Sequence, residues 1–479
     1  MSERGRFYVP QPGSIPTLDV PTLAGVARVH LVGIGGAGMR NLAKLLVARG
    51  VAVSGSDLKD TTGLEELRQL GADVAVGHDP AQLGDPDAVI VSSAIGTRNV
   101  ELVEAHRRGI PVWARAQALA ALASGTRSIA VAGTHGKTTT TSMVAVVLEE
   151  AGLEPSFLIG GDLNESGSGA RSGDGDVFLF EADESDGSFL LVDPAIGVIT
   201  NVEVDHVDFY PGGRDEIERA FAEFAARCGH VVACGDDEGA GAALALCGVA
   251  AIRYGVGDGN DWQLSVEREG PGGASGIVVG PDGERVELSL RVDGAHNLLN
   301  ATAALVVAGL LGVPVAEAAR TLAAFGGVHR RFELRGNARG AAFYDDYGHV
   351  PTELAVTLGV ARRTEPRRLV AVFQPHRYSR TQALWRELGE SLREADLLVV
   401  TDVYGADQDP IPGVTGKLVV DGAAEAARET RIVYLPHRRD VVTFLADEVR
   451  DGDLVITMGC GDVWMLGDAA LERIRGEAS

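Results

Sequence analysis

The sequence predicts an α/β chain of three successive segments: an N-terminal Rossmann-like unit over 1–124, a central α/β unit of the P-loop ATPase type over 125–327, and a C-terminal Rossmann-like sheet over 328–479. Three observations carry this. The 479 residues suit about three domains by ordinary domain size. Short β-branched apolar runs alternate with helical stretches along most of the chain. Two such runs lead straight into glycine-rich turns, GIGGAG at 33–38 and AGTHGKTTTT at 132–141, and the low aromatic content of 5% suits α/β layers with tight βα turns.

In the first segment, residues 29–32 form a buried strand, the glycine turn follows, 39–49 form a helix ending at Gly50, and 51–54 form the next strand. Later strands are expected at 89–92 and 111–113. The glycines at 33, 35 and 38 match G-x-G-x-x-G, with Asp57 just past the second strand in about the place of a ribose-binding acid. The pattern alone leaves open NAD, a ligand-free turn, or another diphosphate such as that of a nucleotide sugar. With ATP assigned to the second segment, a diphosphate-bearing substrate is favoured over a redox cofactor.

The second segment opens on strand 128–131, then Gly133, Thr134, His135, Gly136, Lys137, Thr138 and Thr139, with a helix expected at 143–148. Strand, glycine turn, Lys-Thr and helix is the layout of a phosphate-binding loop, although Val131 stands where the strict pattern has its first glycine. Backbone N–H groups of such a turn and of the helix N-terminus attract an anion. Only four of the 43 basic residues are lysine (44, 59, 137 and 417), and one stands in this loop, where a compact ammonium fits among phosphates. Strand 177–180 leads into Glu181, Asp183, Glu184 and Asp186, and strand 196–200 into Asn201, Glu203, Asp205, His206 and Asp208. Two strand-end clusters beside one phosphate loop point to Mg²⁺ ligation by Thr138, Glu181 and His206 with phosphate oxygens. Imidazole is unusual for that metal, so Mn²⁺ is the alternative. Residues 262–292 read as a strand meander carrying a glycine loop at 270–276, and His296 and Asn297 open an alanine-rich helix.

The third segment alternates strand 369–373, helix 382–393, strands 397–401 and 431–434, helix 440–449 and strand 454–458. His376, Arg377 and Arg380 follow the first of these strands. Two arginines three apart at a strand end suit a carboxylate gripped in bidentate fashion.

The net charge of −24 and pI of about 4.9 argue against nucleic acid and anionic lipid as partners. Cysteines at 228, 234, 247 and 460 have no metal-ligand spacing and read as reduced cytosolic thiols. The first sixteen residues lack the apolar core of a signal peptide, and no uncharged apolar stretch is long enough for membrane insertion. A cytoplasmic chain is therefore expected.

Seven pieces occur in order: GTHGKTTTT, EADESDGSF, TNVEVDHVDFY, AHNLLNATAA, RRFE, DDYGHVPTE and FQPHRYSRT. Together with GIGGAGM and GSDL they resemble the Mur ligase superfamily, over nearly the whole chain. Within it they resemble the branch that joins L-alanine to UDP-N-acetylmuramate at the expense of ATP. Other branches place a carbamoylated lysine after the DHxD-like motif, whereas 217–229 here contain no lysine.

The resemblance implies an N-terminal domain for the UDP-sugar, a central ATPase and a C-terminal domain for the amino acid. It assigns Gly35, Gly36, Ala37, Gly38 and Met39 to the UDP diphosphate, and Ser56, Asp57, His78 and Ser93 to the uridine side. ATP falls to residues 133–139 with Asn297, Arg331 and Asp346, and Lys137, Glu181 and His206 are the implied catalytic group. Tyr347, His349, His376, Arg377 and Arg380 surround the amino-acid site. Val350, Gln117 and the stretch 403–408 depart from the family pattern. A tripeptide in place of alanine, or a non-catalytic regulator on the same scaffold, are the alternatives, and monomer and homodimer are both left open.

Overall fold

A computed structural model describes residues 19–92, 95–160, 168–206, 209–270, 272–406, 408–426 and 429–477. The chain forms two compact units. The first comprises residues up to 268 with 274–291 and 295–326, and the second 269–273, 292–294 and 327–479.

The first unit contains two sheets. One has strands β1 (Arg28–Val32), β2 (Ala52–Asp57), β3 (Asp73–Val76), β4 (Ala88–Val91) and β5 (Val112–Ala114), all parallel in the order β3-β2-β1-β4-β5. The central strands are nearly continuous apolar runs, as a sheet covered on both faces requires. Helix Ala37–Ala48 buries Met39, Leu42, Ala43 and Leu46, one face at helical spacing. The second strand runs further than its apolar residues suggest, so Asp57 is its last residue.

The other sheet comprises β6 (Arg127–Ala132), β7 (Ser156–Leu158), β8 (Ala170–Arg171), β9 (Val177–Glu181), β10 (Ile196–Ile199), β11 (His230–Cys234), β12 (Ala251–Gly255), β13 (Trp262–Arg268), β14 (Ala274–Val279) and β15 (Arg285–Leu290). Their order is β15-β14-β13-β12-β11-β10-β6-β9-β7-β8. The expected meander is the antiparallel run β13-β14-β15. Residues 128–131, 177–180 and 196–199 lie in central parallel strands as read.

In this part of the chain a helix boundary differs. The helix expected from 143 runs over Lys137–Glu150, so the four threonines form its first turns. Their β-branching disfavours a helix only slightly. Burial of 138–141 and back-bonds from Thr141 Oγ1 to Lys137 O (2.8 Å) and Ser142 Oγ to Thr138 O (2.7 Å) outweigh it.

The second unit carries β16 (Glu333–Ala338), β17 (Ala341–Asp346), β18 (Arg368–Phe373), β19 (Leu397–Val400), β20 (Arg431–Tyr434) and β21 (Asp453–Met458) in the order β16-β17-β21-β18-β19-β20. Among the described residues of this sheet only the β16–β17 pair is antiparallel. That hairpin has no sequence signal, because ELRGNA is polar and its register shifts near Gly336. Helix Tyr378–Ser391 starts four residues earlier than its apolar pattern suggests and kinks at Leu384. Among the described residues no helix is long and apolar enough to cross a membrane.

Candidate active site

The phosphate loop is shaped by the turn after β10. Gly133 has φ +137°, and a Cβ there would come within 2.0 Å of Thr200 Oγ1. Asn201 grips the loop twice: its Oδ1 accepts from His135 N (2.8 Å) and its Nδ2 donates to His135 O (3.1 Å). Thr134 N donates to Asn201 O (3.1 Å), and Glu203 N to Thr134 Oγ1 (2.8 Å). The His135 ring lies against Glu203, Nε2 to Oε2 3.3 Å. Two N–H groups of the loop, at 134 and 135, are therefore held by the protein itself. The donors left for an anion are those at the start of helix Lys137–Glu150, whose N-cap Gly136 has φ +80°. Asn300 Oδ1 packs where a Gly136 Cβ would stand, at 2.7 Å.

Lys137 Nζ donates to Gly133 O (2.5 Å) and to both oxygens of Glu184 (3.0 and 2.9 Å). Burial, the largest effect on this ammonium, favours its neutral form; the charges of Glu184, Asp183 and Glu181 outweigh that and raise its pKa. Glu184 is 1% exposed, and Tyr210 Oη donates to its carbonyl at 2.7 Å. Burial pushes the Asp183 carboxyl up, yet Lys137, Arg115 and His206 bring it down to about 2. Arg115 Nη2 stands 3.9 Å from Asp183, and its guanidinium also lies 3.0 Å from where a Gly38 Cβ would be.

The predicted metal set is distributed as follows. Glu181 ends β9 and its Oε1 accepts from Gly160 N (2.7 Å). His206, at φ +50°, holds Nε2 3.4 Å from Asp205 and 3.9 Å from Glu184, while its buried Nδ1 meets no hydrogen-bond partner among the described residues. Among the described residues the Thr138 hydroxyl meets no helix carbonyl, unlike those of Thr141 and Ser142. Among the described residues no group of three or more His, Cys, Asp and Glu side chains is arranged to hold a metal. A carboxylate and a hydroxyl nevertheless suit a hard divalent cation that draws further oxygens from phosphate. Asn297 lies near the start of helix Ala295–Leu310.

At the first sheet, Gly35 N donates to Asp57 Oδ2 (2.9 Å), which braces the glycine turn. Gly36 caps helix Ala37–Ala48, and Ala37, Gly38 and Met39 offer the N–H groups of its first turn. The Met39 side chain is buried in the core, so it offers its backbone alone. Ser56 and His78 meet at Oγ–Nδ1 2.8 Å. Ser93 lies outside the described residues, as do residues 207–208.

In the second unit, Asp346 ends β17, buried, and its oxygens accept from Phe332 N (2.8 Å), Gly348 N (2.8 Å) and Thr357 Oγ1 (3.1 Å). Burial outweighs these donors and Arg331, and raises its pKa. Arg331 stacks over Tyr347 at 5.2 Å and pairs with Glu353 at 3.7 Å. Tyr347, His349, His376 and Tyr404 form a chain of rings with centroids 5.7–5.8 Å apart. Burial pushes the Tyr347 phenol up to about 12. His349 Nδ1 donates to Tyr347 O (3.1 Å), which leaves Nε2 as the basic nitrogen of the neutral ring. Arg380 donates to His376 Nδ1 (3.2 Å), which places that ring's proton on Nε2. Arg377, at φ +66°, caps helix Tyr378–Ser391.

Residues 28–127, 131–308 and 330–461 match, in order, the descriptions "Mur ligase family, catalytic domain", "Mur ligase middle domain" and "Mur ligase, glutamate ligase domain". A UDP-N-acetylmuramate–L-alanine ligase of Saccharopolyspora erythraea is 48% identical over 96% of this chain and 95% of its own length. The chain belongs to the Mur ligase family. A second relative of the same description, from Rubrobacter xylanophilus, is 45% identical over 93% of this chain and all of its own. Among solved structures, UDP-N-acetylmuramate-alanine ligase MurC of Thermotoga maritima superposes with a TM-score of 0.80 at 28% identity, covering 94% of this chain and 99% of that one. A murein peptide ligase of Psychrobacter arcticus reaches 0.72 at 25% identity, covering 94% and 99%.

Several side chains of this Mur ligase that shape the site escaped the sequence reading. Asn201, Asn300 and Glu184 sit inside quoted motifs, but nothing in their spacing says which polar residue touches the loop. Glu101, which accepts from Ser56 Oγ (2.6 Å) and His78 Nδ1 (3.2 Å), stands in an ordinary amphipathic helix and gives no signal at all. Gln117 departs from the family pattern yet does a defined job: its Oε1 accepts from Ala114 N (2.9 Å) and caps helix Arg115–Ala123. Val350 is buried at the N-cap of helix Pro351–Arg363.

Proposed function

We infer that this Mur ligase joins L-alanine to the lactyl carboxylate of UDP-N-acetylmuramate, with ATP cleaved to ADP and phosphate, in peptidoglycan precursor synthesis. The near-full-length match to relatives of that description carries the reading. The carboxylate attacks the γ-phosphate to give an acyl phosphate, and the amine of alanine then attacks the acyl carbon and releases phosphate. The first step brings anion to anion. Two unit charges about 4 Å apart repel by about 4 kcal/mol at an effective dielectric of about 20, and a polyphosphate multiplies this.

Lys137 supplies the buried cation that offsets this repulsion, with the N–H groups of the helix it opens. Residues 133–139, Asn297, Arg331 and Asp346 bind ATP in this reading. Thr138, Glu181 and His206 would hold Mg²⁺ together with the nucleotide, and the ion would neutralise phosphate charge. Gly35 to Met39 with Ser56, Asp57, His78 and Ser93 take the UDP-sugar. Arg377 and Arg380 bind the alanine carboxylate beside Tyr347 and His376. His349 is the base for the alanine ammonium, because its basic nitrogen is Nε2 while Arg380 occupies Nδ1 of His376.

The three functional domains are 1–124, 125–327 and 328–479. The enzyme works in the cytoplasm, where its nucleotide substrates are made, as a monomer or homodimer, and needs neither nucleic acid nor membrane insertion. The experiment is an ADP-release assay with each substrate omitted in turn. Release is expected only with UDP-N-acetylmuramate and L-alanine together, and a tripeptide is not expected to replace alanine. ATP hydrolysis without either substrate, or preference for the tripeptide, would contradict the reading.

A further inference from the structure

Beneath the uridine end of the first sheet lies a buried carboxylate that the reaction does not use. Glu101, in helix Val100–Arg108, is 0% exposed. Its Oε2 accepts from Ser56 Oγ (2.6 Å) and His78 Nδ1 (3.2 Å), and His30 Nε2 stands 3.7 Å away. Its Oε1 accepts from Asp79 N (3.4 Å) and, in the amide orientation that satisfies both atoms of Gln82, from that side chain at 3.1 Å. Burial favours the protonated acid, but His30, the Ser56 hydroxyl and His78 outweigh it and lower the pKa, so the group is a carboxylate with lone pairs only.

This settles where a proton sits. Ser56 Oγ has one hydrogen, and its short contact to the carboxylate takes it. Towards His78, 2.8 Å away, the hydroxyl therefore presents a lone pair. His78 Nδ1 faces two acceptors, Ser56 Oγ and Glu101 Oε2, and must itself carry hydrogen. In the neutral ring the remaining nitrogen, Nε2, is an acceptor. Among the described residues nothing meets that Nε2, and the side chain keeps 13% of its exposure. His78 follows β3 by two residues and Ser56 stands near the end of β2, at the carboxyl ends of parallel strands where open α/β sheets bind ligands.

We propose that Glu101 is a positioning residue for base recognition: it holds the proton of His78 on Nδ1, so that Nε2 accepts from the substrate base. A base edge that donates N–H, as the uracil imide does, is then favoured over one that accepts there, as cytosine N3 does. The proposal rests on the reading that His78 lies at the uridine end of the site. A Glu101→Gln change keeps the shape but brings a donor amide, which frees Ser56 and lets the His78 tautomer invert.

Long-range ¹H–¹⁵N spectra of the full-length protein at neutral pH, with His78 assigned from a His78→Gln variant, read the tautomer directly. The expected result is a proton on Nδ1, an unprotonated Nε2, and a shift of the Nε2 signal on adding UDP. In competition assays CDP is expected to bind about tenfold more weakly than UDP, the effect of one hydrogen bond. Glu101→Gln is expected to abolish most of that ratio while the KM for ATP holds, which a merely structural carboxylate would not produce. A proton on Nε2 of the wild-type ring, or an undiminished UDP-to-CDP ratio in Glu101→Gln, overturns the proposal. UDP that binds without moving the His78 signals overturns the uridine-site reading itself, and the proposal with it.

Discussion

Replacing Lys137 by methionine removes the cation over a carboxylate that water does not reach. The ammonium lies 2.9–3.0 Å from both oxygens of Glu184, whose side chain is 1% exposed. At about 3 Å and an effective dielectric of about 20 the attraction is about 5 kcal/mol, and breaking buried pairs by losing one partner costs about 3–5 kcal/mol. Lys137→Met is therefore expected to destabilise the protein by about 3–5 kcal/mol as well as to abolish turnover. The buried Glu184 carboxylate, left without its cation, is the reason a loss of stability is expected beside the loss of turnover. Adding Glu184→Gln removes the stranded charge and should restore about 2 kcal/mol or more without restoring activity. Urea unfolding of the wild type, both single variants and the double variant, with ADP release measured in parallel, completes the cycle. A coupling energy below about 0.5 kcal/mol would refute the assignment of Glu184 as the resident counterion of Lys137.

Asn201→Ala frees the His135 amide and should raise the KM for ATP by about three- to tenfold with the KM for alanine unchanged, as steady-state kinetics would show. His349→Gln should lower kcat by about a hundredfold and remove the acid limb of its pH profile, whereas His376→Gln should act mainly on the KM for alanine; equal loss of kcat in both would count against His349 as the base. Glu333 is pushed up by burial but brought down to about 2 by His329, the Arg330 amide and Arg335. Its contribution, on the order of 3 kcal/mol, is present above the ordinary carboxylate range and is lost as pH falls towards 2. His329 is raised by the same pair, so its share is present below the ordinary imidazole range and lost as pH rises through the raised value. Thermal melts across pH should show Glu333→Gln flattening the acid limb.

The sheets were legible because buried parallel strands are continuous apolar runs, and both glycine turns stand at the ends of such strands. The β16–β17 hairpin was not, because a polar edge strand with a glycine irregularity has no periodicity to read. In the site, the sequence identifies groups whose chemistry is rare in this chain, such as Lys137 among four lysines. It does not identify partners that act through geometry. Glu184 differs from Glu181 only by three positions, yet one lies on the lysine and the other on the Gly160 amide. The same holds for His349 and His376, which residue type cannot separate and which the hydrogen bonds to Tyr347 O and from Arg380 do.

The central claim, that the lactyl carboxylate is phosphorylated before the amide forms, is tested most directly by isotope transfer. UDP-N-acetylmuramate labelled with ¹⁸O in both carboxylate oxygens is turned over with ATP and L-alanine, and the released phosphate is analysed by mass spectrometry. The carboxylate oxygen that attacks the γ-phosphate leaves with it when the amine displaces phosphate, so one ¹⁸O per turnover is expected in inorganic phosphate and the other in the amide. Unlabelled phosphate alongside full product formation would contradict the account.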